Sequence, residues 1–485
     1  ILEMQNTNSD FKTLYPGVYE KEEREALKKY FENAERINNR AELDLDKLVQ
    51  GTLPEDTPGI GPVVPVTEAI VRYCNGKYEQ ENPLYYDKEY AQAHGYKDIL
   101  AYFCFGAHDD TYTIPYPPEV RDKLLVSQIS HSISNLAPVY PGDTLYMVFD
   151  HVDVVEGTPA EGSTYRTFHS SIKGSVYNQD KVKVNEVEFT TTESIEIYKD
   201  KSMSTGTSFA DVWVAPDWLS RPAHQYTDAD YEEIKKIWRE EYLRGDEKLY
   251  WEDVNVGDRP ARTADGPIVE SVLPTAPYGQ GAGGSRTLKK EVLDEEIFKT
   301  MIRTKEGIYV LPNKADYVPR LPEGLEVIMA IDDGRRSGGE EEEGAVDTRD
   351  IHSSGDEQRA PLINFFNRDT AIHHINNWMG DYGTIRNIKW SIMSPETHAV
   401  YGFTVPNSPF YHHYVNQVPG MEDRIMDSHG LTTDMAIVNS YVQKKYIENN
   451  RHMVRLLWWI EDIEGHIYSD GSADVELPSK QESLA

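Results

Sequence analysis

The spacing of hydrophobic and polar positions changes period along the chain, and the changes repeat. Residues 19–48 mix Glu, Lys, Arg, Ala and Leu in a pattern that predicts one or two exposed helices. Repeated Pro and Gly over 51–65 end that region. Thr67 then stands as a cap in front of the amphipathic stretch Glu68-Ala-Ile-Val-Arg-Tyr73, and a second helical stretch covers Asp87 to Ala107. After the turn Pro141-Gly142-Asp143 the period is that of a strand. Residues 144–155 are β-branched and aromatic, and two further strands, 164–177 and 181–191, flank Asn178-Gln179-Asp180.

Residues 201–250 interrupt this order with Pro216, Pro222 and a charged helix from Asp228 to Arg244. At Tyr250-Trp-Glu-Asp-Val-Asn-Val-Gly-Asp258 it starts again, with a helix near 366–380 and strands near 386–404. A hairpin of 451–460 and 466–477 around Glu464-Gly465 closes it. Each unit runs helix first, then antiparallel strands, so the chain reads as α+β with two diverged copies. The expected division is a helical extension over 1–50, a first domain over 51–205, a linker over 206–249 and a second domain over 250–485. That second domain carries an insertion at about 285–346.

Composition narrows the function. A length of 485 residues fits two domains. A net charge of −33 lacks the basic footprint that a phosphate backbone requires, which excludes nucleic acid as a partner and otherwise reads as an acidic, soluble surface. Apolar runs such as Val454 to Ile460, broken by Arg455, are too short to cross a bilayer, and no secretory pattern opens the sequence. Cys74 and Cys104 offer neither a disulfide framework nor a metal cluster. A cytoplasmic protein without a metal is therefore expected.

Some local patterns carry little. Gly279-Gln-Gly-Ala-Gly-Gly284 lacks the Lys-Ser/Thr ending of a phosphate loop and reads as a loop. His373-His374 and His412-His413 have no Cys or Glu partners at ligand spacing, so packing or surface roles are expected.

Three segments carry a resemblance. Glu81-Asn-Pro-Leu-Tyr-Tyr-Asp-Lys-Glu-Tyr-Ala-Gln-Ala-His-Gly95 resembles the hydratase motif of MaoC-like (R)-specific enoyl-CoA hydratases and dehydratases. That motif runs Asp-x-Asn-Pro-Leu-His and continues Asp-x-x-x-Ala-x-x-x-Gly. Pro138-Val-Tyr-Pro-Gly-Asp-Thr-Leu145 is similar to the turn and strand after the family's central helix. Tyr250 to Asp258 is similar to the strand that opens many of its domains, and Gly471 to Pro478 also fits. The resemblance implies a double hot dog, two helix-wrapped antiparallel sheets in one chain, with an acyl-thioester lying between them.

It also implies a chemistry. In the family an Asp and a His five residues later hold one water against the β-carbon of an enoyl thioester and move its protons. In the first half these positions fall on Gln80 and Tyr85, which cannot do that work near neutral pH. In the second half Asp347-Thr-Arg-Asp-Ile-His352 has the spacing, and Asp347 and His352 are the catalytic candidates. Arg349 and Asp350 replace the family's Asn and Pro there. Asp369 and His374 share the spacing, but inside the predicted helix. Arg386 and Lys389, beyond that helix, are candidates for the phosphates of coenzyme A, which enters as part of the substrate and not as a separate cofactor. Further assembly into a homo-oligomer is expected, as hot-dog units usually associate. A non-catalytic acyl-binding or partner subunit and an acyl-CoA thioesterase are the rival readings.

Overall fold

The structure is a computed structural model, described here over residues 21–79, 81–102, 124–156, 166–195, 221–268, 288–310, 364–391, 412–428 and 430–481. Its centre is one antiparallel ten-stranded sheet. The first five strands are β1 (Ile60–Pro65), β2 (Leu124–Asn135), β3 (Thr144–Glu156), β4 (Arg166–Tyr177) and β5 (Lys183–Ile195). The later five are β6 (Thr263–Asp265), β9 (Thr384–Ser391), β10 (Ala436–Glu448), β11 (Arg451–Glu461) and β12 (Ile467–Glu476). Two short strands outside this sheet, β7 (Ile302–Arg303) and β8 (Tyr309–Val310), form a ribbon of their own.

The order across the sheet is β1-β3-β4-β5-β2-β9-β12-β11-β10-β6. From either outer edge inward, the strands of a half come as its first, third, fourth, fifth and second. The internal repeat read from the sequence is therefore present in the topology. The two halves do not form two separate sheets, however. They are sewn together where β2 pairs with β9, through Ser130↔Ser391, His131↔Trp390, Ser132↔Lys389, Ile133↔Ile388 and Ser134↔Asn387. At this seam the His131 ring stacks on Trp390 at 4.8 Å and on Phe189 at 5.7 Å.

Strand β11 shows why these sequences are strands. Val454, Leu456, Trp458 and Ile460 alternate into the main core, while Leu457 and Trp459 point the other way under Tyr414, Val415 and Val418. Both faces are covered, so the run from Leu456 to Ile460 is continuously apolar. Gly471 lies across from Trp390 on one side and Trp458 on the other. A Cβ there would collide with the Lys389 carbonyl and the Trp458 ring, so only glycine lets these three strands approach.

The helices are α1 (Lys21–Asn38), α2 (Leu45–Gln50), α3 (Glu68–Tyr78), α4 (Lys88–Ala93), α5 (Asp228–Glu240), α6 (Lys289–Leu293), α7 (Glu295–Phe298) and α8 (Asn364–Met379). Helix α1 does more than cover surface: Phe31, Ala34 and Ile37 are buried against the first half. Thr67 caps α3 as expected, accepting from the Ile70 amide. Of the helix expected over Asp87 to Ala107, the described residues 87–102 form α4, which stops at His94 and Gly95. The strand expected over Tyr250 to Asp258 is a 3₁₀ turn, Trp251–Asp253, and β6 is the strand that opens the second half. Within the insertion the chain forms two short helices that meet at Asp294, whose carboxylate accepts from the Glu296 and Ile297 amides and starts the second of them. Leu288, Val292, Met301 and Ile308 of this segment are buried against Tyr231, Ile234, Ile237 and Trp238. This part of the insertion thus belongs to the core built on α5.

Candidate functional site

Helix α8 positions the site. It has 16 residues and lies against β9, β10 and β11, and its polar residues are spread around it among buried apolar ones such as Ala371, Ile372 and Ile375. Asn367, Arg368, Asp369, Thr370, His374, Asn376 and Asn377 are all buried. A surface helix would segregate such residues to one face. Burying them requires partners, because an unmet polar group costs about 1–3 kcal/mol. His374 meets Thr263 at 3.2 Å and Ser440 at 2.7 Å, pinning the helix to β6 and β10. Asp369 takes the Arg368 guanidinium at 2.8 Å, so Asp369 and His374 are bound to different partners. The helix ends at Gly380, whose φ of 71° is left-handed and whose amide returns to the Asn376 carbonyl. Arg244 donates to the Asn377 and Trp378 carbonyls and closes that end.

The first-half motif lies along this helix. Its fold is local and legible. Asn82 accepts from the Leu84 amide and starts a 3₁₀ turn, Pro83 sits at the turn's first position, and Asp87 caps α4 by accepting from Tyr90. Asn75 holds the turn from behind through the Tyr85 and Leu100 carbonyls. The motif residues that survive are those that shape the backbone.

Above them two polar groups cross between the halves. Glu79, buried just past α3, accepts from Asn376 Nδ2 at 2.6 Å, and its other oxygen stands 3.5 Å from His373 Nδ1. Tyr85 accepts from the same Asn376 amide at 3.3 Å, and burial, with the Glu79 charge added, holds its hydroxyl well above the usual tyrosine range. Tyr85 is a neutral group here. Nearby, Lys289 binds Glu241 at 2.5 Å and Glu81 at 3.4 Å, tying the insertion to the motif. Burial pulls the Lys289 ammonium down, but the two carboxylates outweigh it and hold its pKa above the ordinary lysine value.

A second crossing sits at the helix end. Tyr90 donates to Asp381 at 2.5 Å, and His94 reaches Asp246 at 2.8 Å. Burial works against the charged His94 ring, but the Tyr90 carbonyl, Asp246 and Asp381 together raise its pKa. That imidazolium stabilises the fold below about pH 6.5 and loses its contribution as pH rises through the raised value. Three other histidines act in the opposite sense. Burial pushes His131 and His374 down to about 3 and His169 to about 4. The unfolded chain takes up these protons below about pH 6.5 while the folded chain does not, so acid removes stability. Among these four histidines, three against one predict that the histidine contribution to Tm falls between pH 7 and pH 5. A thermal melt that rises over the same interval would contradict this balance.

Asp347 and His352 lie outside the described residues, as does Gln80. Arg386 and Lys389 are in β9 at the seam. Arg386 sits at a bulge in the β9–β12 pairing and binds Glu476 at 2.6 Å. Lys389 pairs through its backbone with Ser132 and Ser472 and has no ion pair among the described residues. Asp462, Glu464 and His466 gather three metal-type donors at the β11–β12 turn. Asp462 is engaged there by Arg221 and by the Glu464 and His466 amides, which makes the trio a turn lock.

No family model and no curated protein matches the sequence. Solved structures do. A MaoC domain protein dehydratase from Chloroflexus aurantiacus is 11% identical, covering 88% of this chain and 100% of its own, with a TM-score of 0.43. A Mycobacterium tuberculosis protein with a double hotdog fold is 11% identical, over 86% and 94%, with a TM-score of 0.43. A MaoC-like dehydratase from Phytophthora capsici is 8% identical, over 90% and 100%, with a TM-score of 0.34.

The chain is similar to MaoC-like dehydratases.

At these identities and TM-scores the similarity assigns neither substrate nor catalytic residue to this chain. Its own side chains do more. Glu79, Glu241, Lys289, His373 and Asn376 form the cross-half cluster, and the sequence singled out only His373 among them, as half of a His-His pair. Among the described residues no helix is long and apolar enough to cross a membrane.

Proposed function

We propose that this chain is a double hot-dog hydro-lyase that hydrates a trans-2-enoyl-CoA and dehydrates the (R)-3-hydroxyacyl-CoA. The observation that carries the reading is the repeated strand order joined at the β2–β9 seam, with the hydratase-like motif of the first half laid along the buried polar helix of the second. Asp347 and His352 are the proposed catalytic pair: one takes a proton from water as its oxygen attacks the β-carbon, and the pair returns a proton to the α-carbon. Their place in the chain, shortly before α8, supports them. Backbone amides at the start of that helix would polarise the thioester carbonyl. Lys389, and Arg386 if it leaves Glu476, would meet coenzyme A phosphates. We place the protein in the cytoplasm as a homo-oligomer.

The insertion supports a bulky acyl group. From Pro267 to Asp347 the chain spends 80 residues, against 18 from Pro62 to Gln80. A long insertion beside an active site is usually functional. The expected result is a higher kcat/KM for an aromatic or alicyclic enoyl-CoA than for crotonyl-CoA, since that ratio measures transition-state binding. Equal values would remove the substrate role of the insertion.

A non-catalytic acyl-binding subunit is the second reading, favoured by Arg349 and Asp350 where the family has Asn and Pro. Thioester hydrolysis is the third. Loss of the enoyl-thioester absorbance without release of free thiol supports hydration. Thiol release supports hydrolysis, and no change with any enoyl-CoA supports the binding subunit.

A further inference from the structure

The first half lacks both residues of the hydratase pair, and by its motif alone it should be inert. Its surroundings are not inert. Three carboxylates, Glu79, Glu81 and Glu241, meet near the motif with one lysine among them. Lys289 pairs with Glu241 at 2.5 Å and with Glu81 at 3.4 Å. Glu79 has no lysine or arginine within ion-pair distance among the described residues. Its partners are an amide, Asn376 at 2.6 Å, and an imidazole, His373 at 3.5 Å. Asn376 lies one turn beyond His373 on the same helix face, so it fixes the carboxylate from the far oxygen while the near oxygen faces the ring. His373 is also the partly exposed member of an otherwise buried stretch, with 15% of its side chain accessible.

We propose that His373 is the catalytic base of a second hydration site beside the first-half motif, with Glu79 and Asn376 as its positioning residues. This rests on the reading of the chain as an enoyl-thioester hydratase. The imidazole takes one proton from water. The hydroxide oxygen bonds to the β-carbon, the Cα–Cβ π pair moves to the α-carbon, and the imidazolium returns the proton there. Nothing beyond water is consumed. The carboxylate that the motif lost at position 80 is replaced from position 79, and the imidazole lost at position 85 is replaced from the other half of the chain. The site is slower than one built on Asp347 and His352, because its pair stands beyond hydrogen-bond distance before substrate binds.

The experiment uses the full chain and an enoyl-CoA that the wild type hydrates. Asp347→Asn combined with His352→Ala should leave a residual kcat, about 10⁻² of the wild type or less given what a general base is worth. Adding His373→Gln should remove it. Adding Glu79→Gln instead should cut the residual kcat by about 10-fold with KM unchanged, and Glu79→Asp should restore part of it. Thermal melts of every variant show that the fold is kept, and the surface-accessible His373 change serves where the Glu79 change disturbs it. A wild type that hydrates, with a residual unaffected by His373→Gln or with no residual at all, overturns the second site and leaves the hydratase reading standing. A wild type that hydrates no enoyl-CoA overturns both. Turnover that survives the Asp347 and His352 changes in full but is lost with His373→Gln supports this site and removes the other.

Discussion

Asp347→Asn and His352→Ala should each lower enoyl-CoA turnover by about 10²-fold or more while the melting temperature stays in place. A general acid or base in a positioned pair contributes about 10²–10⁴-fold. Gln80→Ala and Tyr85→Phe should change the rate little. Gln80 has no proton to exchange, and burial keeps the Tyr85 hydroxyl neutral far above working pH. Steady-state kinetics on the four variants is the check. If the first-half changes abolish turnover and the second-half changes leave it intact, the assignment of the main site is reversed.

The second large effect concerns the seam. A fragment ending near residue 205 should aggregate or self-associate, and neither it nor residues 246–485 should hydrate substrate until the two are mixed. Cutting the chain there exposes β2 in one piece and β9 in the other, each with an unpaired edge. It also uncovers the His131–Trp390 stack and leaves Glu79 and Asp381 buried without Asn376 and Tyr90. An orphaned buried polar group costs about 1–3 kcal/mol, more when charged, which is a large part of a domain's stability of about 5–15 kcal/mol. Size-exclusion chromatography and activity of the separate and mixed pieces decide it. Residues 246–485 eluting as a soluble, fully active monomer would sink the account of the seam.

What the sequence made legible was local. Thr67, Asn82, Pro83 and Asp87 cap or start their elements through contacts within three residues, so their roles can be read from order alone. The hairpin β11–β12 announces itself by the apolar run Leu456 to Ile460 followed by the turn at Glu464-Gly465. Strands β2 and β10 escaped because neither carries a clean alternation. Strand β2 is rich in serine, and three of its serines, Ser130, Ser132 and Ser134, pair with β9 at the seam. The far end of β10, from Lys444 to Glu448, is partly to fully exposed and mixes Lys and Glu with Tyr446 and Ile447. In the insertion, Asp294 looks like an ordinary helical acid until its carboxylate is seen capping the helix Glu295–Phe298. The site was the least legible. Glu79 and Asn376 stand 297 positions apart, and nothing in either neighbourhood names the other. Only the inversion of the second half across β2–β9 brings them together.

The most direct test of the hydro-lyase reading is the handedness of the product. The chain is incubated with a trans-2-enoyl-CoA it consumes, and the 3-hydroxyacyl-CoA formed is resolved on a chiral column. The account predicts the (R) enantiomer, because water is delivered to a single face of the bound enoyl group, with no free coenzyme A. An (S) or racemic product, or free coenzyme A in place of a hydroxyacyl thioester, would contradict it.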